Sequence, residues 1–205
     1  TGIYIRSTLK ADSDTVEAVI ERTHDNLVSL KHNGQIVERH PLLSGASADQ
    51  SESEQLESFL RSRTLEQLLV LVEGMDDEDL QFVMQGVNFN VKLAEHGMVF
   101  HDGLGVGSTL ERLVREGLTS RDMAMDARIL TSAASDARMA GVKLPAMSSA
   151  GSGNHGLTAV LPIWAARTHL HHITDTHVLK AIGLSHVVTA YIKAHTGRLS
   201  AVCGC

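Results

Sequence analysis

At 205 residues the chain is long enough for one large domain or two small ones, and its 43 % apolar residues and mean hydropathy near zero give it a globular composition with a real core. A net charge of −6 with no basic block leaves it without the electrostatic footprint of a nucleic-acid binder, and no apolar run reaches the roughly 18 residues that suggest a membrane span. Only 3 % of residues are aromatic, so the core must be built from Leu, Val, Ala, Met and Ile, which suits closely packed helices.

Thr1 to Ile5 carry neither the basic segment nor the apolar run of a secretion signal, and no initiator Met precedes them, so a piece of a longer protein is expected. Ile3 to Ser7 and Thr15 to Ile20 have strand composition. Leu27–Leu30 and Ile36–Glu38 flank Asn33-Gly34, the strongest short-range hairpin signal because both turn residues must tolerate positive φ. A small antiparallel sheet is therefore predicted over residues 2–40, with a hairpin at 26–38. Residues 44–54 are small and polar and read as a loop or linker.

From there the pattern is helical. Thr64 and Gln67 form a capping box ahead of the apolar stripe Leu65, Leu68, Leu69 and Val72. Asp76 to Asp79 place acids in the first turn of a helix predicted to run to Glu95 and stop at Gly97. Residues 101–107 form a glycine-rich loop, and Ser108 or Thr109 caps a helix ending near Gly117. Thr119–Asp122 open an Ala-rich helix to about Gly141. Residues 147–156 form a Gly/Ser loop. Thr158 to Leu170 follow as an apolar helix with Pro162 near its start, and Asp175 begins a last helix ending at Gly197. The predicted fold class is α+β: an antiparallel β subdomain over 1–43, a linker and first helix over 44–63, and a mostly α-helical bundle over 64–205.

Three groups of residues invite chemistry. In Met147–Gly156 the glycines let backbone approach a ligand, the following helix start suits an anion such as an amino-acid carboxylate, and Ser148, Ser149, Ser152 and Asn154 add donors. Imidazole is the side chain suited to acid–base work near neutral pH, so His155 is the acid–base candidate. The plain alternative is a connecting loop; no Lys follows the last Gly as in a Walker loop, and no strand precedes it as in a dinucleotide fingerprint.

The second group is the only cysteines, Cys203 and Cys205, which form Cys-Gly-Cys at the last three positions. So close a pair staples nothing, which favours a reducing compartment and a cofactor role over a disulfide framework. Thiolates suit an iron–sulfur centre, zinc being the rival and two small buried residues the plain alternative. Two thiolates do not complete a cluster, so further ligands must come from outside the chain. The third group, His169, His171, His172 and His177, is read as a solvated helix end rather than a metal site, having no acid or Cys at a recognisable ligand spacing. Asp136 and Arg138 read as partners of neighbouring residues in structural salt bridges or as site residues, and Asn90 and Lys92 as solvated or pocket-facing.

The runs Ala133–Gly141, Leu144–Gly156, Leu184–Lys193 and Thr196–Cys205 together resemble the L-cysteine desulfidase family, which is related to the alpha chain of iron–sulfur L-serine dehydratase. The hairpin preceded by Thr23–Asn26 resembles the β-rich portion that family carries ahead of its helices. The resemblance implies a cytoplasmic amino-acid lyase with a [4Fe–4S] cluster, eliminating the β-substituent of L-cysteine or L-serine to give pyruvate and ammonia, with sulfide from cysteine. It implies that Ser148, Ser149, Gly151, Ser152, Gly153 and Asn154 hold the substrate, with its carboxylate in the loop, and that His155 is the candidate base. One of Cys203 and Cys205 is then a cluster ligand, Cys203 being preferred. Family members carry one further cysteine upstream, in a Gly-Cys-Thr-Glu-Pro-like motif, and another downstream. Both are absent here, so this chain alone is expected to be inactive and cluster-free, working with the missing N- and C-terminal segments of its own protein and as a homo-oligomer. Two other readings compete: a non-catalytic module that binds or senses an amino acid, and a helical piece that mediates subunit assembly.

Overall fold

The computed structural model describes residues 3–22, 26–43 and 47–196. Strands β1 (Ile3–Ala11), β2 (Asp14–Arg22), β3 (Leu27–His32) and β4 (Gln35–Ile36) form one antiparallel sheet in chain order. Helices α1 (Ser47–Arg61), α2 (Leu65–Glu73), α3 (Asp77–Phe100), α4 (Val106–Arg115), α5 (Met123–Met139), α6 (Gly153–Ala166) and α7 (Asp175–Thr196) follow. The class is α+β, as the sequence predicts. No described helix is long and apolar enough to cross a membrane. Contacts divide the chain into two compact units, one holding the sheet and α1 and the other spanning residues 63–193.

In the first unit, β1 and β2 pair Ile5 with Ile20 and Leu9 with Val16, and β2 and β3 pair Ala18 with Leu30, so apolar side chains share a face. A bulge falls between Val19 and Ile20. Asn33 and Gly34 turn β3 into β4 with φ of 52° and 81°, the positive pair a type I′ turn needs. Asn33 also accepts from the Thr15 N–H at 2.7 Å and donates to Asp14 at 2.8 Å. That bond, with His32 alongside, holds the Asp14 carboxyl below its usual pKa.

Residues 44–54 do not form one continuous linker, because α1 begins at Ser47.

The second unit is built on helix ends the sequence announces and on others it does not. The capping box at Thr64 is present: Thr64 Oγ1 accepts from the Gln67 N–H at 3.3 Å, and the Gln67 side-chain Oε1 accepts from the Thr64 N–H at 3.0 Å. Only Leu68 and Val72 of the predicted stripe are buried; Leu65 and Leu69 are exposed. Asp76 and Asp79 form a second box at the head of α3. Helix α3 does not stop at Gly97 but runs to Phe100, where His101 supplies the left-handed cap at φ 54°. Gly97 serves packing instead, since a Cβ there would collide with the Ala133 carbonyl of α5.

Neither Ser108 nor Thr109 caps α4. The cap is Gly105 at φ 66°, and Ser108 Oγ merely donates back to its carbonyl at 3.1 Å. Helix α6 starts five residues ahead of the predicted Thr158, so Gly153–Gly156 are its first turn and Pro162 is the tenth of its 14 residues. An interior proline costs about 3 kcal/mol in an isolated helix. Here Leu157, Val160 and Leu161 are buried in the core beside Val87, Leu93, Ala133, Ala134 and Ile182, and that packing outweighs it. The core is aliphatic and closely approached, as the low aromatic content implies.

Candidate functional site

The Gly/Ser loop is closed by an approach that only glycine allows. A Cβ on Gly156 would overlap the Met147 carbonyl and lie 2.8 Å from Ser148 Cα. Gly86 on α3 makes the matching concession, since its Cβ would meet Met147 Cε at 2.6 Å. The two ends of the loop are then held by one side chain. Asn90, fully buried on α3, accepts from the Met147 N–H at 2.9 Å and donates to the Gly156 carbonyl at 3.3 Å. Asn90 therefore neither faces water nor lines a pocket; it clamps the loop. Lys92, two residues on, is exposed.

Between those ends Ser149 and Ser152 exchange both backbone hydrogen bonds at 3.0 Å, closing a two-residue turn. Its central residues, Ala150 and Gly151, have φ of 46° and 82°. Ala150 bears a Cβ in a region glycine prefers, so the turn carries local strain. Ser152 then caps α6, accepting from the His155 N–H at 3.4 Å. The N–H groups of Gly153 and Asn154 have no acceptor among the described residues, so the positive end of a 14-residue helix opens at the loop.

The predicted loop residues take distinct positions. Ser148 is exposed. Ser149 is 3 % exposed and its Oγ has no hydrogen-bond partner among the described residues. The Nδ1 of His155 is likewise buried and unpartnered. Unsatisfied buried polar groups are rare and costly in native proteins, and two of them fall within seven residues of one loop. Ser152 is already engaged as the cap. Asn154 accepts from Arg138 Nη1 at 3.0 Å.

Asp136 and Arg138 do not pair with each other. The buried Asp136 carboxylate accepts from the Gly107 N–H at 3.1 Å and caps α4 from across the bundle, while Arg138 reaches α6. A pair the sequence reading did not single out is His96 Nδ1 with Asp102 Oδ2 at 2.6 Å, on the last turns of α3 and the loop after it.

The histidine group disperses into structural roles. His169 pairs with Asp126 at 2.8 Å, and Asp126 with Arg121, which Glu111 holds firmly protonated. His177 completes a cap with Thr174, the two side chains 2.7 Å apart. His171 and His172 are exposed. Among the described residues no three His, Cys, Asp or Glu side chains gather into a metal-holding group. Cys203 and Cys205 lie outside the described residues. Their thiolates are the right donors for an iron–sulfur cluster, but two fall short of its shell, so this chain's residues do not by themselves fit the group.

The family profile described as serine dehydratase alpha chain matches residues 16–205. A UPF0597 protein of Desulfatibacillum aliphaticivorans is 52 % identical over 100 % of this chain and 46 % of its own length. One from Desulfotalea psychrophila is 48 % identical over 100 % of this chain and 47 % of its own, and one from Clostridioides difficile 42 % identical over 99 % and 47 %. The chain thus spans about half the length of the curated relatives it matches. No solved structure matches it.

Proposed function

The chain belongs to the serine dehydratase alpha-chain family, and we propose that its intact protein is an iron–sulfur lyase that removes the β-substituent of L-serine or L-cysteine to give pyruvate and ammonia. The observation that carries the proposal is the loop at the head of α6, where two backbone N–H groups, a buried hydroxyl and a buried imidazole nitrogen have no partner among the described residues. Backbone N–H groups at a helix start suit a carboxylate. Ser148, Ser149 and Asn154 hold the amino acid; Gly151 and Gly153 let it approach the backbone; Ser152 keeps the helix end in place. His155 takes the α-proton, the step that makes the β-substituent a leaving group.

One of Cys203 and Cys205, Cys203 by preference, would contribute a ligand to a [4Fe–4S] cluster completed by thiolates from outside this chain. When bound, that cluster supplies Lewis acidity to the departing thiol or hydroxyl. The setting is the cytoplasm, in amino-acid catabolism, and the working form is a homo-oligomer of the whole protein. The competing reading, a non-catalytic amino-acid module, draws on the same free N–H groups, which need no metal to bind an anion.

The test is anaerobic iron–sulfide reconstitution of the full-length protein, followed by pyruvate release from L-serine and L-cysteine. Visible thiolate–iron absorption and pyruvate, both lost in a Cys203→Ala, Cys205→Ala double variant, are the expected result. Saturable amino-acid binding without pyruvate would replace the lyase by the binding module.

A further inference from the structure

Arg138 is a charged side chain of the second unit seated directly against the start of α6. It leaves the last turn of α5 and lays its guanidinium over the backbone of Gly153, the first residue of α6. A Cβ at Gly153 would overlap Nε and lie 2.7 Å from Cζ and 2.8 Å from Nη2, so the glycine is what seats it. Nη1 donates to Asn154 Oδ1 at 3.0 Å and reaches Met139 Sδ at 3.6 Å. No carboxylate among the described residues pairs with Arg138, and Asp136, the nearest acid on its own helix, is committed to the Gly107 N–H. The guanidinium is exposed, suits the C-terminal end of its own helix α5, and lies beside the positive start of α6, so an anion placed between guanidinium and α6 would be favoured by both. Holding Nη1 on Asn154 leaves Nε and Nη2 without acceptors, the edge with which arginine takes a carboxylate through two parallel bonds. The independent mark of a ligand is Ser149, 3 % exposed, whose Oγ is buried without a partner in the same loop.

We propose that Arg138, held by Asn154 across Gly153, grips the α-carboxylate of the amino-acid substrate and makes the site specific for free amino acids over their amides and esters. The proposal rests on the lyase reading for its substrate and adds to it the residue that selects that substrate. Arg138 is a binding residue: it leaves the α-proton and the leaving group to others. The loop N–H groups of Gly153 and Asn154 bind the same carboxylate from its other side.

The test compares the reconstituted full-length enzyme with its Arg138→Gln and Arg138→Lys variants, using L-serine and L-serinamide. Loss of one charge-assisted bidentate contact should raise KM for L-serine about 10- to 100-fold in Arg138→Gln, with a smaller rise in Arg138→Lys. The L-serinamide KM should be unchanged within about threefold, because the neutral amide does not form that ion pair. Equal losses for acid and amide would mean a structural role and overturn the proposal, as would no loss for either. Calorimetric binding of the two compounds to the same proteins separates this outcome from the lyase reading. Binding of L-serine that depends on Arg138, with no pyruvate formed, would end the lyase reading and leave the carboxylate grip standing. Competition by inorganic phosphate as strong as that by acetate would overturn the carboxylate assignment.

Discussion

Asn90 stands 57 residues before the N–H it accepts from and 66 before the carbonyl it donates to. In sequence it is only a polar interruption in an apolar helix; its partners become visible when α3 and α6 lie side by side. Asn90→Ala would orphan both partners, and a buried unsatisfied group costs about 1–3 kcal/mol. Urea denaturation should show a loss in that range for Asn90→Ala, whereas Lys92→Ala on the exposed face should be near neutral. Gly156→Ala tests the same closure sterically. Its Cβ overlaps the Met147 carbonyl, so the melting temperature should fall, by an amount corresponding to about 1–3 kcal/mol of overpacking.

His186 supplies the pH dependence at this scale. Burial lowers its pKa, so the unfolded chain, near the ordinary value of about 6.5, binds the proton more readily than the folded one. Stability is full above that value and is lost as pH falls through it toward the folded pKa. Urea midpoints should drop between about pH 7.5 and 5.5, and His186→Gln should flatten that slope. An unchanged slope would assign the drop to other groups.

At the scale of elements, what was legible was local. Asn33-Gly34 names its own turn, and Thr64 with Gln67 names its own cap, because donor and acceptor lie within three residues of each other. What was not legible depended on neighbours. Gly97 reads as a stop yet is buried inside α3 because Ala133 needs the space. Gly153 and Gly156 read as loop but open α6, their missing Cβ atoms making room for Arg138 and Met147. Asp136 caps a helix it does not belong to. Its carboxylate meets the positive end of α4, so Asp136→Ala should lose about 1–2 kcal/mol, as lost caps do, while Asp136→Asn, which keeps an acceptor, should lose less. Thermal melts of the two variants decide this.

At the scale of the whole molecule, the antiparallel sheet and the aliphatic helical unit were both readable from composition and period, and the Gly/Ser segment was readable as one that precedes a helix. The division of labour within it was not: the sequence offers six loop residues as equals, whereas the fold spends Ser152 on capping and leaves Ser149 and His155 unsatisfied. Since the chain spans about half the length of its curated relatives, the proposed reaction is one for the intact protein, and a cluster at Cys203 or Cys205 would need further ligands from outside this chain.

The measurement that tests the account most directly is pyruvate release from L-serine and L-cysteine by the reconstituted full-length protein carrying His155→Gln or Ser149→Ala. A residue that moves the α-proton contributes about 100- to 10,000-fold. The account predicts a loss of that order for His155→Gln and a smaller but clear loss for Ser149→Ala, with melting temperature and iron absorption unchanged. Rates within a few-fold of the parent for both variants, with the cluster intact, would contradict it and leave the loop as a connection between helices.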